Sequence, residues 1–109
     1  MVTGVSKDQP IPVPKWDVAL AALMREEYQK TGNALKVDDL RRLATEYAIR
    51  FDDIVVTAFE LCLYDEWQYH AANGTLREMN REIFEELTSA GRLKDRDLVG
   101  FDGGWSPLK

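Results

Sequence analysis

Apolar residues recur every three or four positions in four separate segments of the chain, which is the period of an amphipathic α-helix. The first segment covers residues 16–31 and is followed by Gly32, which commonly ends a helix because it tolerates a positive φ angle. The second covers residues 38–48, where Asp38 is placed to cap the helix N-terminus. The third covers residues 52–66 and has the widest apolar arc, so we expect it to be central.

The fourth segment has the most regular helical pattern in the chain. Thr75 and Glu78 have the spacing of a capping box. The apolar positions that follow step by three or four residues and are Leu76, Met79, Ile83, Leu87 and Ala90. This pattern predicts a helix from residue 75 to residue 90, ended by Gly91.

Two short stretches outside these helices are typical of β-strands. Residues 67–70 alternate apolar and polar side chains, and Asn73-Gly74 is a turn signal. Residues 98–101 are a second candidate strand. The predicted fold is therefore mainly α: a single four-helix domain over residues 16–109, with room for a small two-stranded β element.

The two ends of the chain differ in composition from the helical segments. Residues 1–15 contain prolines at positions 10, 12 and 14, which predict an extended lead-in. The C-terminal end is a Gly-rich aromatic tail that contains Phe101 and Trp105. Two positions are open to the Trp105 side chain: it folds back to cover the core, or it stays exposed and anchors a partner. We favour the first.

The corner between the second and third predicted helices has a defined spacing of small and apolar residues. These positions are Leu43, Ala44, Tyr47, Ala48, Ile49, Ile54, Ala58 and Leu61. A small residue at Ala44 lets the third predicted helix cross close to the second, and Ile49 and Ile54 fill the angle between these two helices. With this spacing, residues 40–61 resemble the helix-turn-helix superfamily.

The resemblance implies a helix-turn-helix corner, and the strand at residues 67–70 with the turn at Gly74 resembles the winged-helix variant. The chain departs from the pattern at Ala48, where the superfamily commonly has Gly, and at Arg50, where it commonly has Ser or Thr. In the superfamily, the second helix of the motif lies in the major groove of DNA. The resemblance therefore implies a sequence-specific DNA-binding transcriptional regulator as one function.

Charge argues against that function. The chain has 14 Lys and Arg residues against 19 Asp and Glu residues, a formal net charge of −5. Residues 33–80 contain five of the basic and nine of the acidic residues, a local net charge of −4, so most of the net negative charge lies on the region that would have to approach DNA. Such a surface repels phosphate, which favours a partner other than nucleic acid.

The leading interpretation is a non-enzymatic protein-binding or regulatory module, whose partner has a basic surface. The candidate partner-binding residues are Asp52, Asp53, Val56, Glu60 and Trp105. In the DNA-binding alternative, Arg41, Arg42 and Arg50 would contact the duplex. The sequence leaves the oligomeric state open.

Catalytic, metal and membrane functions have little support. Cys62 lies within an apolar helix segment, which is typical of a buried thiol, and a single cysteine forms no internal disulfide. His70 is the only histidine, and with Glu66 it supplies two ligands, too few for a structural zinc site. The longest apolar run, residues 18–24, is too short to cross a bilayer, and no secretory signal precedes it. We therefore expect a cytoplasmic protein with no catalytic residue, no cofactor and no membrane partner.

Overall fold

The computed structural model describes residues 16–89 and 98–108 and shows a mixed α and β fold. The elements in chain order are α1 (Val18–Thr31), α2 (Val37–Glu46), α3 (Phe51–Leu63), β1 (Trp67–His70), β2 (Leu76–Arg77), α4 (Arg81–Thr88) and β3 (Gly104–Pro107). The described strands form one antiparallel sheet in the order β2-β1-β3. Within these two described ranges the four predicted helices are present, and the β element has three strands instead of two. The proline segment at residues 1–15 lies outside the described residues.

Helix α1 is capped by side chain and backbone at its two ends. The Asp17 carboxylate accepts a hydrogen bond from the Leu20 N–H at 3.0 Å. Gly32 has a φ of 71°, and its N–H donates to the Tyr28 carbonyl. The predicted stop at Gly32 is therefore confirmed, and the helix begins two residues later than predicted.

Helix α2 begins before its predicted cap and ends before residue 48. Lys36 occupies the N-cap position, and its N–H donates to the Asp39 carboxylate at 2.8 Å. The prediction that Asp38 caps this helix is wrong, because Asp38 already lies inside its first turn. Ala48 has a φ of 55°, a left-handed conformation that a helix cannot continue through.

Helix α3 packs against α1, α2, α4 and β1, which confirms that it is central. Its buried residues are Ile54, Val55, Thr57, Ala58, Phe59, Leu61 and Cys62. The helix ends at Leu63, three residues earlier than predicted. Asp65 has a φ of 59°, and this left-handed residue turns the chain from α3 into β1.

Strand β1 lies in the middle of the sheet at the residues predicted for it. Trp67 and Tyr69 are buried, while the two residues that alternate with them are partly exposed. Strand β3 pairs with all four residues of β1. Trp105 of β3 also exchanges two backbone hydrogen bonds of 2.8 Å each with Leu35. These bonds tie the connection between α1 and α2 to the sheet.

The segment predicted as one long fourth helix divides into a strand and a shorter helix. After a turn at Gly74, with a φ of 89°, Leu76–Arg77 pairs with β1 as β2. Helix α4 starts only at Arg81, where the side chain of Asn80 accepts from the Ile83 N–H at 2.8 Å. The predicted helix start at Thr75 is therefore wrong, and the predicted stop at Gly91 lies outside the described residues.

The C-terminal tail is part of the folded core. Residues 98–101 form a turn instead of the predicted strand, with the Phe101 N–H donating to the Leu98 carbonyl. Trp105 is 0% exposed, and its ring lies 5.9 Å from Phe59 and 4.8 Å from Tyr69 between centroids. Folding back of Trp105 is thus confirmed, and its use as an exposed partner anchor is wrong.

Candidate functional site

Helix α3 leaves only a narrow side outside the core, and this side is acidic. Asp52, Asp53, Val56 and Glu60 lie on it, at spacings that keep them on one face of a helix. Asp53 is exposed, and the other three are partly buried. The structure therefore brings together four of the five candidate partner-binding residues, and we call these four the acidic α3 face.

The N-cap carboxylate of α1, Asp17, acts electrostatically on this face. Trp16 packs against Tyr64 with 6.0 Å between ring centroids, which holds the start of α1 beside the end of α3. Burial, and then the negative charge of Asp17, raises the pKa of Glu60. The ionised Glu60 is therefore less stable in the fold than in water, and a nearby cation would stabilise it.

The N-terminal end of the acidic α3 face has a structural role as well. Asp52 and Asp53 lie in the first turn of α3, where the helix dipole stabilises negative charge. Thr57, one turn further on, is buried and donates its hydroxyl to the Asp53 carbonyl at 2.9 Å. At this end of the face Asp53 is therefore the exposed carboxylate, with Asp52 and Val56 partly buried beside it.

The three arginines proposed for DNA contact do not form one cationic surface. Arg42 makes an ion pair with Glu27 of α1, a carboxylate that is almost fully buried, and this hydrogen bond raises the pKa of Arg42. The Arg41 guanidinium lies over the Phe51 ring, 4.3 Å from its centroid. Arg50 is exposed at the N-cap of α3. Arg41 and Arg42 therefore diverge toward different helices.

The groups considered for covalent or metal chemistry are dispersed. Burial, with a smaller contribution from Asp65, raises the pKa of the Cys62 thiol to about 12, so the thiolate form is scarce at neutral pH. Within residues 16–89 and 98–108, no group of three or more His, Cys, Asp or Glu side chains is arranged to hold a metal ion. None of the described helices has the length and apolar character needed to cross a bilayer.

Sequence reasoning missed Asp17 as a neighbour of the acidic α3 face. Asp17 and Glu60 are more than 40 residues apart in the chain, and their proximity follows from the packing of α1 on α3. No local pattern encodes such a contact. The one available signal was Trp16, because a large aromatic residue next to a helix cap commonly packs on a neighbouring element.

Comparison with protein-family models, with curated proteins and with solved structures returned no significant match.

Proposed function

We propose that the protein is a non-enzymatic binding module whose acidic α3 face recognises a basic surface on a partner protein. The observation that carries this proposal is the composition of the side of α3 that lies outside the core. It has three carboxylates and one apolar side chain, Val56, and Asp17 adds a fourth carboxylate beside Glu60. Charge of one sign on a rigid helix favours association with the opposite sign.

The electrostatics of Glu60 support a cationic partner. Glu60 is partly buried, and this burial, with the negative charge of Asp17, raises its pKa and disfavours its ionised form. A lysine or arginine from a partner would lower the energy of both ionised groups at once. Val56 is partly exposed near them and offers a small apolar contact, so the face combines charge with some burial of apolar surface.

The α2–α3 corner is proposed as the scaffold of this face and as a helix-turn-helix corner. Ala44 and Ile54 are buried, and the Ile49 N–H donates to the Ala44 carbonyl at 2.8 Å. Ala48 takes a left-handed conformation at the position where the superfamily commonly has Gly. These features support a tight connection that fixes the angle of α3.

DNA binding remains the alternative, and the arrangement of the arginines gives it less support. A recognition helix presents its N-terminal residues to base edges, and α3 begins with Phe51, Asp52 and Asp53. Arg42 is held by Glu27 and Arg41 lies over Phe51, so both would have to leave these partners to contact phosphates. A gel-shift titration with random duplex at low salt tests this: we expect no shift at micromolar protein.

Affinity capture from cells of the native host tests protein binding. The immobilised protein is compared with the double variant Asp52→Lys/Asp53→Lys and with a matched control, Glu85→Lys/Glu86→Lys, which reverses two exposed charges on α4. We expect proteins with basic surfaces to be retained by the native chain and the control, lost by the α3 variant and eluted by salt. Equal capture by all three chains contradicts the proposal.

A further inference from the structure

A groove is lined by residues from the end of α3, from β1 and β2, and from the chain after β3. It encloses a volume of about 330 Å³. Its apolar lining consists of Cys62, Trp67, Leu76, Met79 and Leu108. Cys62 and Trp67 are buried, whereas Leu76 is 53% exposed and Leu108 is 47% exposed. We call this feature the Leu76–Leu108 groove; two of the large apolar side chains that line it are in contact with solvent.

The charges that line the Leu76–Leu108 groove are of both signs. Asp65 and Glu78 supply two carboxylates, and Arg77 supplies a guanidinium. The Arg77 Nη1 donates to the Gly100 carbonyl at 2.9 Å. A ligand whose charge is of one sign would meet a like charge here, so the lining favours an occupant that is uncharged and apolar.

The first described residue of the chain lies close to this groove. Trp16 packs against Tyr64 with 6.0 Å between ring centroids. Tyr64 directly precedes Asp65, which lines the groove. The Tyr64 hydroxyl also accepts a hydrogen bond of 2.8 Å from Arg81, which follows the lining residue Met79 by two positions. The residues that precede Trp16 are therefore joined to the fold next to the groove.

The segment just before Trp16 has the chemistry that the groove favours. Residues 10–14 have the sequence Pro-Ile-Pro-Val-Pro and carry no charge. Proline restricts φ and has no N–H, so such a segment loses little conformational freedom on docking and leaves few backbone donors without a partner. Val13 and Ile11 precede Trp16 by three and five positions, and at about 3 Å per residue they reach about 9 Å and 15 Å from it in an extended chain.

We propose that residues 10–14 of the same chain occupy the Leu76–Leu108 groove. Ile11 and Val13 contact Leu76 and Leu108, which removes apolar surface of all four side chains from water. The groove is then closed to any external ligand until residues 10–14 are displaced. It shares no residue with the acidic α3 face, so the inference is independent of the function proposed above.

Nuclear Overhauser effects between methyl groups of the full chain test this contact directly. We expect cross-peaks that join a methyl group of Ile11 or Val13 to one of Leu76 or Leu108, and we expect them to persist on dilution and at high salt. The absence of all such cross-peaks overturns the proposal. Cross-peaks found only between differently labelled copies place the segment of a second copy in the groove, which also overturns it.

Substitutions in the segment locate its docking site. Ile11→Ser/Val13→Ser should lower the equilibrium constant for docking about tenfold or more, because it removes two apolar contacts, and should shift the backbone amide signals of the groove residues. The matched control is Val2→Ser/Val5→Ser, which changes two valines outside residues 10–14 and should leave these signals unchanged. Equal shifts in both variants, or shifts confined to the acidic α3 face, overturn the proposal.

Substitutions in the groove test the same contact from the other side. In Leu76→Ser/Leu108→Ser, the methyl signals of Ile11 and Val13 should move to their positions in an isolated peptide of residues 1–15. Val99→Ser is the matched control, at a residue that is 79% exposed and outside the groove lining, and it should leave these signals in place. Methyl signals of Ile11 and Val13 that already coincide with those of the peptide in the native chain overturn the proposal.

Discussion

Gly103 lies where the C-terminal tail approaches β1, and we predict that its replacement by alanine is strongly destabilising. A Cβ atom built at Gly103 would lie 1.7 Å from the His70 carbonyl oxygen and 2.6 Å from the Ala71 carbonyl carbon. Both are backbone atoms of β1 or its continuation. Relief of this clash therefore requires β3 to separate from β1, because no flexible side chain is available to move.

Two effects contribute to the loss in the free energy of unfolding of Gly103→Ala. Overpacking of a rigid site costs about 1–3 kcal/mol. The Gly103 N–H also donates to the Tyr69 hydroxyl at 2.6 Å in a buried hydrogen bond, and breaking it costs about 1–3 kcal/mol. We therefore expect Gly103→Ala to lower the free energy of unfolding by about 2–6 kcal/mol, a large part of the stability of a domain of this size.

Urea unfolding followed by tryptophan fluorescence measures this change, since Trp105 lies two residues away in the core. Gly100→Ala is the matched control: its Cβ would meet only the Arg77 Nη1 at 3.6 Å, an ordinary contact, so we expect a change within about 0.5 kcal/mol. A loss below about 1 kcal/mol for Gly103→Ala would refute the close approach of the tail to β1.

Three further predictions concern other elements. Ala48→Gly should raise the free energy of unfolding by about 0.5–1 kcal/mol in the same urea assay, because it removes left-handed strain at a φ of 55°; a loss of stability would contradict the conformation of the α2–α3 corner. Glu60→Gln should stabilise the fold at pH 7 by at most a few tenths of a kcal/mol, after allowance for solvent screening. Because the pKa of Glu60 is raised in the fold, its cost appears as the pH rises above the ordinary glutamate value of 4.5, so the gain should vanish below that pH; a gain that persists in acid would contradict this. Cys62, with its pKa raised to about 12, should react with iodoacetamide at pH 8 only after unfolding, as seen by mass spectrometry, and rapid labelling of the folded chain would show that the thiol is accessible.

Features encoded by neighbouring residues were predictable from the sequence. Gly32 ends α1 because the conformation it needs is local, and β1 lies where its alternation predicts. The segment after Gly74 was predicted wrongly because two local signals compete there. Leu76 fits a helical period, but the turn at Gly74 places it beside β1, and the pairing with β1 stabilises a strand. The periodicity of apolar residues does not show which strand or helix a segment will lie beside in the fold.

The glycines of the tail show a second limit of local reasoning. A Gly-rich stretch resembles a flexible end, and a tail was predicted there. In the fold, a Cβ at Gly103 would meet the backbone of β1, and a Cβ at Gly104 would lie 2.8 Å from the Cβ of Ala34. These residues lack side chains because two chain segments pass close to them, which lets β3 pair with β1 and bring Trp105 into the core.

The candidate site was predictable to the extent that it lies on one helix. Helical spacing was enough to place Asp52, Asp53, Val56 and Glu60 on one side of α3, and none of the four is among the buried residues of that helix. Asp17 was missed because only the packing of α1 on α3 brings it near. The engagement of Arg42 with Glu27 was missed for the same reason.

Calorimetric titration of a captured partner tests the claim that the acidic α3 face binds a basic protein surface. The native chain is compared with Asp53→Lys, which reverses an exposed charge on α3, and with Glu85→Lys, which reverses an exposed charge on α4. We predict at least a tenfold loss of affinity for Asp53→Lys, little change for Glu85→Lys, and weaker binding of the native chain at high salt. Equal affinity of Asp53→Lys and the native chain would contradict the claim.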